Sequence, residues 1–136
     1  MVPKLVLRAM TKPENSEKQV QVSIVFPAYN EVDFLEPAVE KAAQALNGFT
    51  HSYEIIIAED GSKDGTAERS EELAQKYPYV RHIHRDERQG RGKALNNAFK
   101  QSRGEVIVYM DLDLATDLRH LQPLVEALTV EGYDFA

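Results

Sequence analysis

The sequence contains no cysteine, so it can form neither a disulfide framework nor a thiolate metal site. It also has no excess of positive charge, because its 16 basic residues face 22 acidic ones and the formal charge is −6. This balance argues against a nucleic-acid-binding protein, which normally presents a basic surface. No apolar run approaches the roughly 20 residues that cross a bilayer, and residues 2–7 are too short for a secretory core. The composition predicts a soluble, acidic, cytoplasmic domain.

Short β-rich runs alternate with helix-patterned segments from residue 20 onward. The central runs are almost wholly apolar, which is typical of strands that are covered on both faces of a parallel sheet. We predict strands at Val20–Phe26, Tyr53–Glu59, Val80–His84 and Glu105–Met110, and helices at Asp33–Leu46, Gly65–Lys76, Lys93–Ser102 and His120–Thr129. This order predicts a three-layer α/β/α, Rossmann-like domain with a mostly parallel sheet and right-handed crossovers.

The two ends of the chain depart from this alternation. Residues 1–19 include a polar stretch and are predicted to form a flexible lead-in to a domain that spans residues 20–136. The last residues, Tyr133–Ala136, resemble a strand that stops as it begins, which indicates a fragment cut after the fourth to fifth strand. A sheet edge left bare near Phe135 favours pairing with a second copy, so we expect a homodimer.

Two carboxylates follow the last predicted strand, with one residue between them. In an extended chain, side chains two residues apart point the same way, so Asp111 and Asp113 can converge on one cation. Carboxylate oxygens suit Mg²⁺ or Mn²⁺, which need few protein ligands when phosphates complete the coordination shell. The carboxyl edge of a parallel sheet is also where such folds bind ligands. The pair therefore predicts metal-assisted chemistry on a phosphorylated substrate.

Two further loops leave predicted strands at the same edge, over residues 26–31 and 59–66. Like the loop that contains Asp111, they open directly into helices, so unpaired backbone N–H groups face one crevice. A nucleotide diphosphate would meet these donors, the cation and the aromatic ring of Tyr29.

In four segments the chain resembles the nucleotide-binding half of a family-two glycosyltransferase of the GT-A fold. The segments stand in family order: residues 23–31 (SIVFPAYNE), 59–66 (EDGSKDGT), 90–96 (GRGKALN) and 111–113 (DLD). Within that family the chain is most similar to the polyprenyl- or dolichyl-phosphate sugar synthases. The resemblance covers residues 20–136, and four motifs in order are far more specific than any one of them.

The resemblance implies roles for individual residues. Four of them match the segment around the nucleotide base and ribose: Pro27, Ala28, Tyr29 and Glu31. Asp60 matches the acid that accepts a hydrogen bond from a base ring N–H. Arg91 and Lys93 match basic positions near the diphosphate. Asp111 and Asp113 match the metal-binding DXD pair, with Asp111 also close to the ribose, and Asp113 and Lys93 are the residues expected to take part in the chemistry.

The implied reaction is a metal-dependent, inverting sugar transfer that uses Mg²⁺ or Mn²⁺. The donor would be a nucleotide-diphosphate sugar of the UDP-glucose or GDP-mannose type, and the acceptor a polyprenyl or dolichyl phosphate at the cytoplasmic face of a membrane. The segment 111–117 (DLDLATD) resembles the glucosyltransferase branch and favours UDP-glucose. Ala115 stands where some mannosyl-phosphate synthases have a metal-assisting glutamine. A lipid phosphate is mostly anionic at neutral pH, since its second pKa is about 6, so we assign no catalytic base.

Other interpretations of these motifs stay open. The chain could be a non-catalytic fragment that binds nucleotide and metal, or a phosphohydrolase with an aspartyl nucleophile at the DXD pair. Asp111 and Asp113 could cap the following helix, and residues 59–66 could be only a turn with a helix cap at Asp64 or Thr66. A run of basic residues is usually a solvated surface, and we assign this role to three arginines of residues 81–93: Arg81, Arg85 and Arg88.

Two histidines alternate on the third predicted strand. His82 and His84 therefore share one face of that strand. Without a third ligand, this pair does not predict a zinc site.

Overall fold

A five-stranded sheet forms the middle layer of the structure, a computed structural model that describes residues 5–8, 20–113 and 118–129. Its strands are β1 (Leu5–Arg8), β2 (Val20–Ala28), β3 (Tyr53–Asp60), β4 (Val80–Arg85) and β5 (Gly104–Tyr109), in the spatial order β1-β5-β2-β3-β4. The strands β5, β2, β3 and β4 run parallel, whereas β1 pairs with β5 in the antiparallel direction. Parallel neighbours need crossover connections, and helices supply them here.

The helices cover both faces of the sheet. They are α1 (Val32–Asn47), α2 (Thr66–Lys76), α3 (Arg91–Gln101) and α4 (Leu121–Thr129), the last preceded by a 3₁₀ turn at Leu118–His120. The apolar stripe of α1 is buried as its periodicity predicts: Leu35, Ala38, Val39, Ala42, Ala43 and Leu46. Among the described residues, no helix combines the length and the apolar character needed to cross a bilayer.

Alternating side chains of the central strands divide the core into two clusters. Ile24 and Phe26 of β2 pack in the larger cluster, which also contains buried residues of α1, α2 and α4. Val25 of β2 and Ile56 of β3 pack in the smaller cluster, against Ala98 of α3. Because neighbouring residues of a strand point to opposite faces, one run of apolar residues serves both clusters. This arrangement confirms the predicted three-layer α/β/α fold.

The strand β1 was not predicted from the sequence. It lies within residues 1–19, where we expected a flexible lead-in, and at these four positions the structure differs from that expectation. Its pairing with β5 covers the backbone edge of that strand, and so short a segment carries no periodicity that would identify it. The predicted strand at Tyr133–Ala136 and the homodimer edge near Phe135 lie outside the described residues, so both stay predictions.

A buried carboxylate of β3 connects this strand to β2, to β4 and to the residue before β5. The side chain of Glu54 is 5% exposed and accepts hydrogen bonds from the Ser23 hydroxyl at 2.6 Å and the Arg81 guanidinium at 2.6 Å. It also accepts the backbone N–H of Arg103 at 2.6 Å. The expectation that Arg81 belongs to a solvated surface is therefore wrong, because Arg81 neutralises a charge inside the protein.

Candidate functional site

The carboxyl ends of β2, β3 and β5 meet at one edge of the sheet. The register pairs Ala28 of β2 with Glu59 of β3, and Val25 of β2 with Tyr109 of β5, so the three loops that follow begin close together. This is the edge at which the sequence predicts a ligand site.

A cavity of about 130 Å³ opens at this edge, between the sheet and the start of α3. Six of the residues predicted to bind the nucleotide line it: Pro27, Ala28, Tyr29, Glu31, Asp60 and Arg91. Three further residues complete the lining: Ala58, Arg88 and Ala94. The small side chains of the two alanines leave the space into which a flat ligand group can enter.

An arginine and a tyrosine form one side of the cavity. The guanidinium carbon of Arg88 lies 3.8 Å from the centre of the Tyr29 ring, which is a close cation–π contact. Arg88 is exposed, as its assignment to a solvated surface predicts, and it also has a defined place beside the cavity. The two side chains offer a stacking face and a positive charge to an incoming ligand.

Asp60 organises the loop that follows β4. Its carboxylate is buried and accepts the backbone N–H groups of Gln89 at 3.0 Å and Gly90 at 2.9 Å. Each of its oxygens accepts one of these bonds, and an ionised carboxylate has about four acceptor sites. Asp60 can therefore hold this loop and still accept a hydrogen bond from a ligand in the cavity.

The residue after Asp60 must be glycine for the loop after β4 to come close to the backbone at this position. Gly61 has a φ of +71°, and a Cβ atom placed on it would lie 2.3 Å from the backbone nitrogen of Arg88. Its own N–H donates to the carbonyl of Arg85 at 3.0 Å. The turn at residues 59–66 thus allows two backbones to touch beside the cavity.

A cluster of charges lies beside the cavity, around the first residue of α3. The Arg91 guanidinium is 3.1 Å from an Asp111 carboxylate oxygen and donates to the Tyr109 hydroxyl at 2.9 Å. Burial raises the pKa of Glu31 above its usual value, while the Tyr29 N–H and Arg91 lower it. The charges of Asp111 and Asp113 raise the pKa of Glu31 further, so these carboxylates share one electrostatic environment.

Hydrogen bonds connect the loop after β2 to the loop after β3. Asn30 accepts the N–H of Lys63 at 2.8 Å, and the N–H of Glu31 donates to the Thr66 hydroxyl at 3.0 Å. Asp64 accepts the N–H groups of Thr66 at 3.0 Å and Val32 at 3.4 Å, which begin α2 and α1. Thr66 is the first residue of α2, and its hydroxyl accepts the N–H of Glu31 and donates to Asp64 rather than capping its own helix.

Lys93 is not brought into the cavity. It lies in α3 and faces a separate open cleft together with residues of β4, of α3 and of the loop between them: Arg85, Gln89, Asn96, Asn97 and Lys100. The exposed side chain of Asp113 is described, whereas Ala115 and the rest of residues 114–117 lie outside the described residues. The role of each predicted residue stays a prediction.

The sequence model of glycosyl transferase family 2 matches residues 23–136. The chain belongs to glycosyl transferase family 2. Two relatives have similar sequences. Glycosyltransferase AglD of Haloferax volcanii is 46% identical over 119 residues, which cover 86% of this chain and 19% of the relative. The dolichol-phosphate mannosyltransferase of Pyrococcus furiosus is 38% identical over 117 residues, which cover 86% of this chain and 32% of the relative.

A solved glycosyltransferase structure has the same fold. The mannosyltransferase PcManGT of Pyrobaculum calidifontis, in complex with GDP-Man and Mn²⁺, matches with a TM-score of 0.69 at 23% identity. The match covers 89% of this chain and 36% of that one. At this identity the likeness shows the fold, and it confirms the predicted GT-A-like architecture. The family 2 chain spans about a fifth to a third of the length of the curated relatives.

Sequence reasoning missed four residues of this family 2 site. Three of them line the cavity, Ala58, Arg88 and Ala94, and the fourth is Tyr109, which contacts Arg91. Ala58 could have been found, because it lies two residues before Asp60 on the same face of a strand. Arg88 could not, since its position depends on how a loop folds onto Gly61.

Proposed function

We propose that this protein is the nucleotide-binding part of a metal-dependent, inverting glycosyltransferase. The substrate would be a nucleotide-diphosphate sugar, and the sugar would pass to a polyprenyl or dolichyl phosphate at the cytoplasmic face of a membrane. One observation carries the proposal: the Arg91–Asp111 ion pair, at 3.1 Å, adjoins the cavity that Tyr29, Asp60 and Arg91 line. Groups suited to a base, a diphosphate and a cation thus lie side by side.

The cavity supports the nucleotide part of this proposal. A base entering beside Tyr29 and Arg88 would find an aromatic ring and a guanidinium plane, both of which stack on flat π-systems. Asp60 would accept a ring N–H of the base from the floor of the cavity. Uracil and guanine both carry such an N–H, so the proposal includes donors of the UDP-glucose and GDP-mannose type.

The carboxylates support the cation. Asp111 and Asp113 supply hard oxygen ligands next to Glu31, and this donor set fits Mg²⁺ or Mn²⁺ better than softer metals. Burial is the main cause of the raised pKa of Glu31, and the charges of Asp111 and Asp113 add to it; a nearby positive ion would offset the contribution of those charges. When bound, the divalent ion would stabilise the negative charge that builds on the leaving diphosphate.

The cationic side chains would act on the same leaving group. Arg91 is held at the first turn of α3 by Asp111 and Tyr109, so it is oriented before a diphosphate arrives. Lys93 faces a neighbouring cleft, and we retain it as a predicted diphosphate contact that Lys93→Ala would test. The anionic acceptor phosphate needs no general base, and inversion at the sugar follows from the family likeness.

The names of the relatives support the acceptor. AglD is a glycosyltransferase, and the P. furiosus relative is named for transfer of mannose to dolichol phosphate. We therefore propose a lipid phosphate as the acceptor class.

A second candidate is a nucleotide- and metal-binding fragment without activity of its own. It is favoured by the length of the chain, which spans 19% and 32% of these two relatives. An aspartyl-nucleophile phosphohydrolase is a third candidate, and trapping of a phosphoaspartate with beryllofluoride would detect it.

Calorimetry with UDP, GDP, UDP-glucose and GDP-mannose in the presence of Mn²⁺ tests the proposal. We expect one nucleotide per chain, with affinity that falls at least tenfold in Asp113→Asn. Glu105→Gln is the matched control, because Glu105 lies near the amino end of β5, at the opposite edge of the sheet. Arg88→Ala should also weaken binding, by removing the partner of the Tyr29 ring.

The transfer assay separates the candidates. Transfer of a labelled sugar to a polyprenyl phosphate would support the enzyme, and metal-dependent binding without transfer would support the binding fragment. If none of the four nucleotides binds, with or without Mn²⁺, both the enzyme and the binding fragment are rejected.

A further inference from the structure

Three side chains of metal-ligand type converge on the opposite face of the sheet from the cavity. Asp60 faces the cavity, and Glu59, its neighbour in β3, faces α2. The register pairs Glu59 with His84 and Ile57 with His82, so both imidazoles of β4 lie beside the Glu59 carboxylate. The ligand atoms of these three residues, here called the histidine cluster, all lie within 4.8 Å of one another.

Each imidazole has a carboxylate on its outer nitrogen. Nδ1 of His82 lies 3.1 Å from Glu71 of α2, and Nε2 of His84 lies 2.8 Å from Asp86. When Nδ1 of His82 donates its N–H to Glu71, Nε2 of His82 carries a lone pair that faces Glu59, whereas Nδ1 of His84 donates to Glu59 and would give up this proton to a cation. A carboxylate on the outer nitrogen is the usual arrangement around a metal-bound histidine, where it fixes the tautomer and raises basicity.

One of the inward nitrogens is buried without a hydrogen bond. The His82 side chain is 6% exposed, and within the described residues its Nε2 has no hydrogen-bond partner. A Glu59 oxygen lies 3.9 Å from this nitrogen, too far for a hydrogen bond. The same Glu59 oxygen contacts Nδ1 of His84. A cation between the three groups would satisfy the buried nitrogen, whose isolation is otherwise unfavourable.

We propose that Glu59, His82 and His84 bind a divalent cation of the zinc class, a site separate from the carboxylate pair at Asp111 and Asp113. Zinc lies about 2.0–2.1 Å from such ligands, which places tetrahedral ligands about 3.3 Å apart. The ligand atoms lie within 4.8 Å of one another, with 3.9 Å between His82 and Glu59 and a hydrogen-bond contact between His84 and Glu59, so all three side chains must adjust to hold the ion. Imidazole ligands favour Zn²⁺, Co²⁺ and Ni²⁺ over Mg²⁺.

A cleft gives solvent access to the histidine cluster. It is lined by Ala67, Glu68 and Glu71 of α2 together with the two histidines. Three protein ligands and an open side leave a fourth coordination position for water or for an added ligand.

The histidine cluster is also connected to the loops of the nucleotide cavity. The second Glu59 oxygen accepts the N–H of Ser62 at 2.5 Å, and the Ser62 hydroxyl accepts the N–H of Asn30 at 3.0 Å. Asn30 is next to Tyr29, which lines the cavity. A cation that fixes Glu59 would therefore stabilise the loops on which nucleotide binding depends.

Calorimetry of the whole chain with Zn²⁺, in excess Mg²⁺ to occupy the carboxylate pair, tests this site. We expect one Zn²⁺ per chain and an affinity at least tenfold lower in His82→Ala and in His84→Gln. His51→Ala is the matched control, because His51 is exposed in the turn before β3 and should bind as the wild type does. Glu71→Gln changes only an outer carboxylate and should lower affinity about 10–100-fold.

Co²⁺ provides a second readout that does not depend on affinity. Its visible absorption band should report nitrogen ligands in the wild type and change in His84→Gln, while circular dichroism verifies that each variant is folded. If His82→Ala does not fold, the Zn²⁺ affinity of Glu71→Gln and the Co²⁺ spectrum of His84→Gln still test the proposal. Absence of Zn²⁺ binding, or a loss below tenfold in the folded histidine variants, would overturn the proposal.

Discussion

Replacing Gly61 by alanine should separate the two backbones that meet beside the cavity. The added Cβ atom would lie 2.3 Å from the nitrogen and 2.9 Å from the Cα of Arg88, and 2.8 Å from the carbonyl carbon of Glu87. All three are backbone atoms, so no side-chain rotation can relieve the contact. The loop must move away, and the bonds from Gln89 and Gly90 to Asp60 would weaken.

The loss of folding free energy in Gly61→Ala has two parts. A φ of +71° disfavours alanine by about 1–2 kcal/mol, since its Cβ crowds the backbone in the left-handed region. Forcing a methyl group into an occupied space adds about 1–3 kcal/mol. We therefore expect the free energy of unfolding to fall by about 2–5 kcal/mol, which is a large part of a typical total of about 5–15 kcal/mol.

Urea unfolding of three glycine variants separates these parts. Gly65 also has a positive φ, of +96°, but its nearest neighbouring atom would be 4.0 Å from the new Cβ, so Gly65→Ala should show the conformational cost alone. Gly92 has open space and lies inside α3, so Gly92→Ala should be neutral or stabilising. With a urea dependence of about 2 kcal/mol per molar, a loss of about 2–5 kcal/mol in Gly61→Ala should lower the midpoint by about 1–2.5 M.

Nucleotide binding supplies an independent measure of the same displacement. Gly61→Ala should weaken nucleotide binding, because Arg88 and the loop before α3 lose their positions, whereas Gly92→Ala should not. The reasoning is refuted if Gly61→Ala and Gly65→Ala destabilise equally.

Two further predictions concern charges outside the cavity. Arg81→Ala should lower the free energy of unfolding by about 2–4 kcal/mol, because it leaves the buried Glu54 carboxylate without its guanidinium. The control Arg103→Ala removes an exposed side chain and should have little effect in the same urea titration. Asp64→Ala should cost about 1 kcal/mol at neutral pH. Burial raises the pKa of Asp64, but hydrogen bonds from the Thr66 hydroxyl and from the N–H groups of Thr66 and Val32 outweigh this effect and lower the pKa below its ordinary value of 3.8. The stabilisation is therefore complete above pH 3.8 and lost as the pH falls through the lower pKa of the folded state. Thermal unfolding of both proteins from pH 7 to pH 2 should show the Asp64→Ala difference vanish at the acidic end, and a difference that stays constant would contradict the assignment.

The parallel sheet and its ligand edge were predictable because their signals are local. Apolar runs such as 55–57 predict strands that are buried on both faces, and the order of elements then brings Asp60 and Asp111 to one edge. The short edge strand β1 was not predictable, since its four residues gain their structure from pairing with β5.

Side-chain contacts between segments that are far apart in the sequence could not be predicted either. Arg88 and Arg81 belong to the same basic run, yet one stacks on Tyr29 and the other neutralises Glu54. Glu59, the third member of the histidine cluster, could have been predicted from the strand order, because parallel pairing of β3 with β4 places it directly beside His84.

Paramagnetic broadening by Mn²⁺ tests the central claim, that one edge of the sheet binds both nucleotide and cation. Backbone amide signals would be recorded with Mn²⁺ alone and after addition of UDP or GDP, for the wild type, Asp113→Asn and Glu105→Gln. We expect nucleotide-dependent broadening at Glu31, Arg91 and Asp111 in the wild type and in Glu105→Gln, and its loss in Asp113→Asn. Broadening that ignores the nucleotide, or that centres on another part of the chain, would contradict the account.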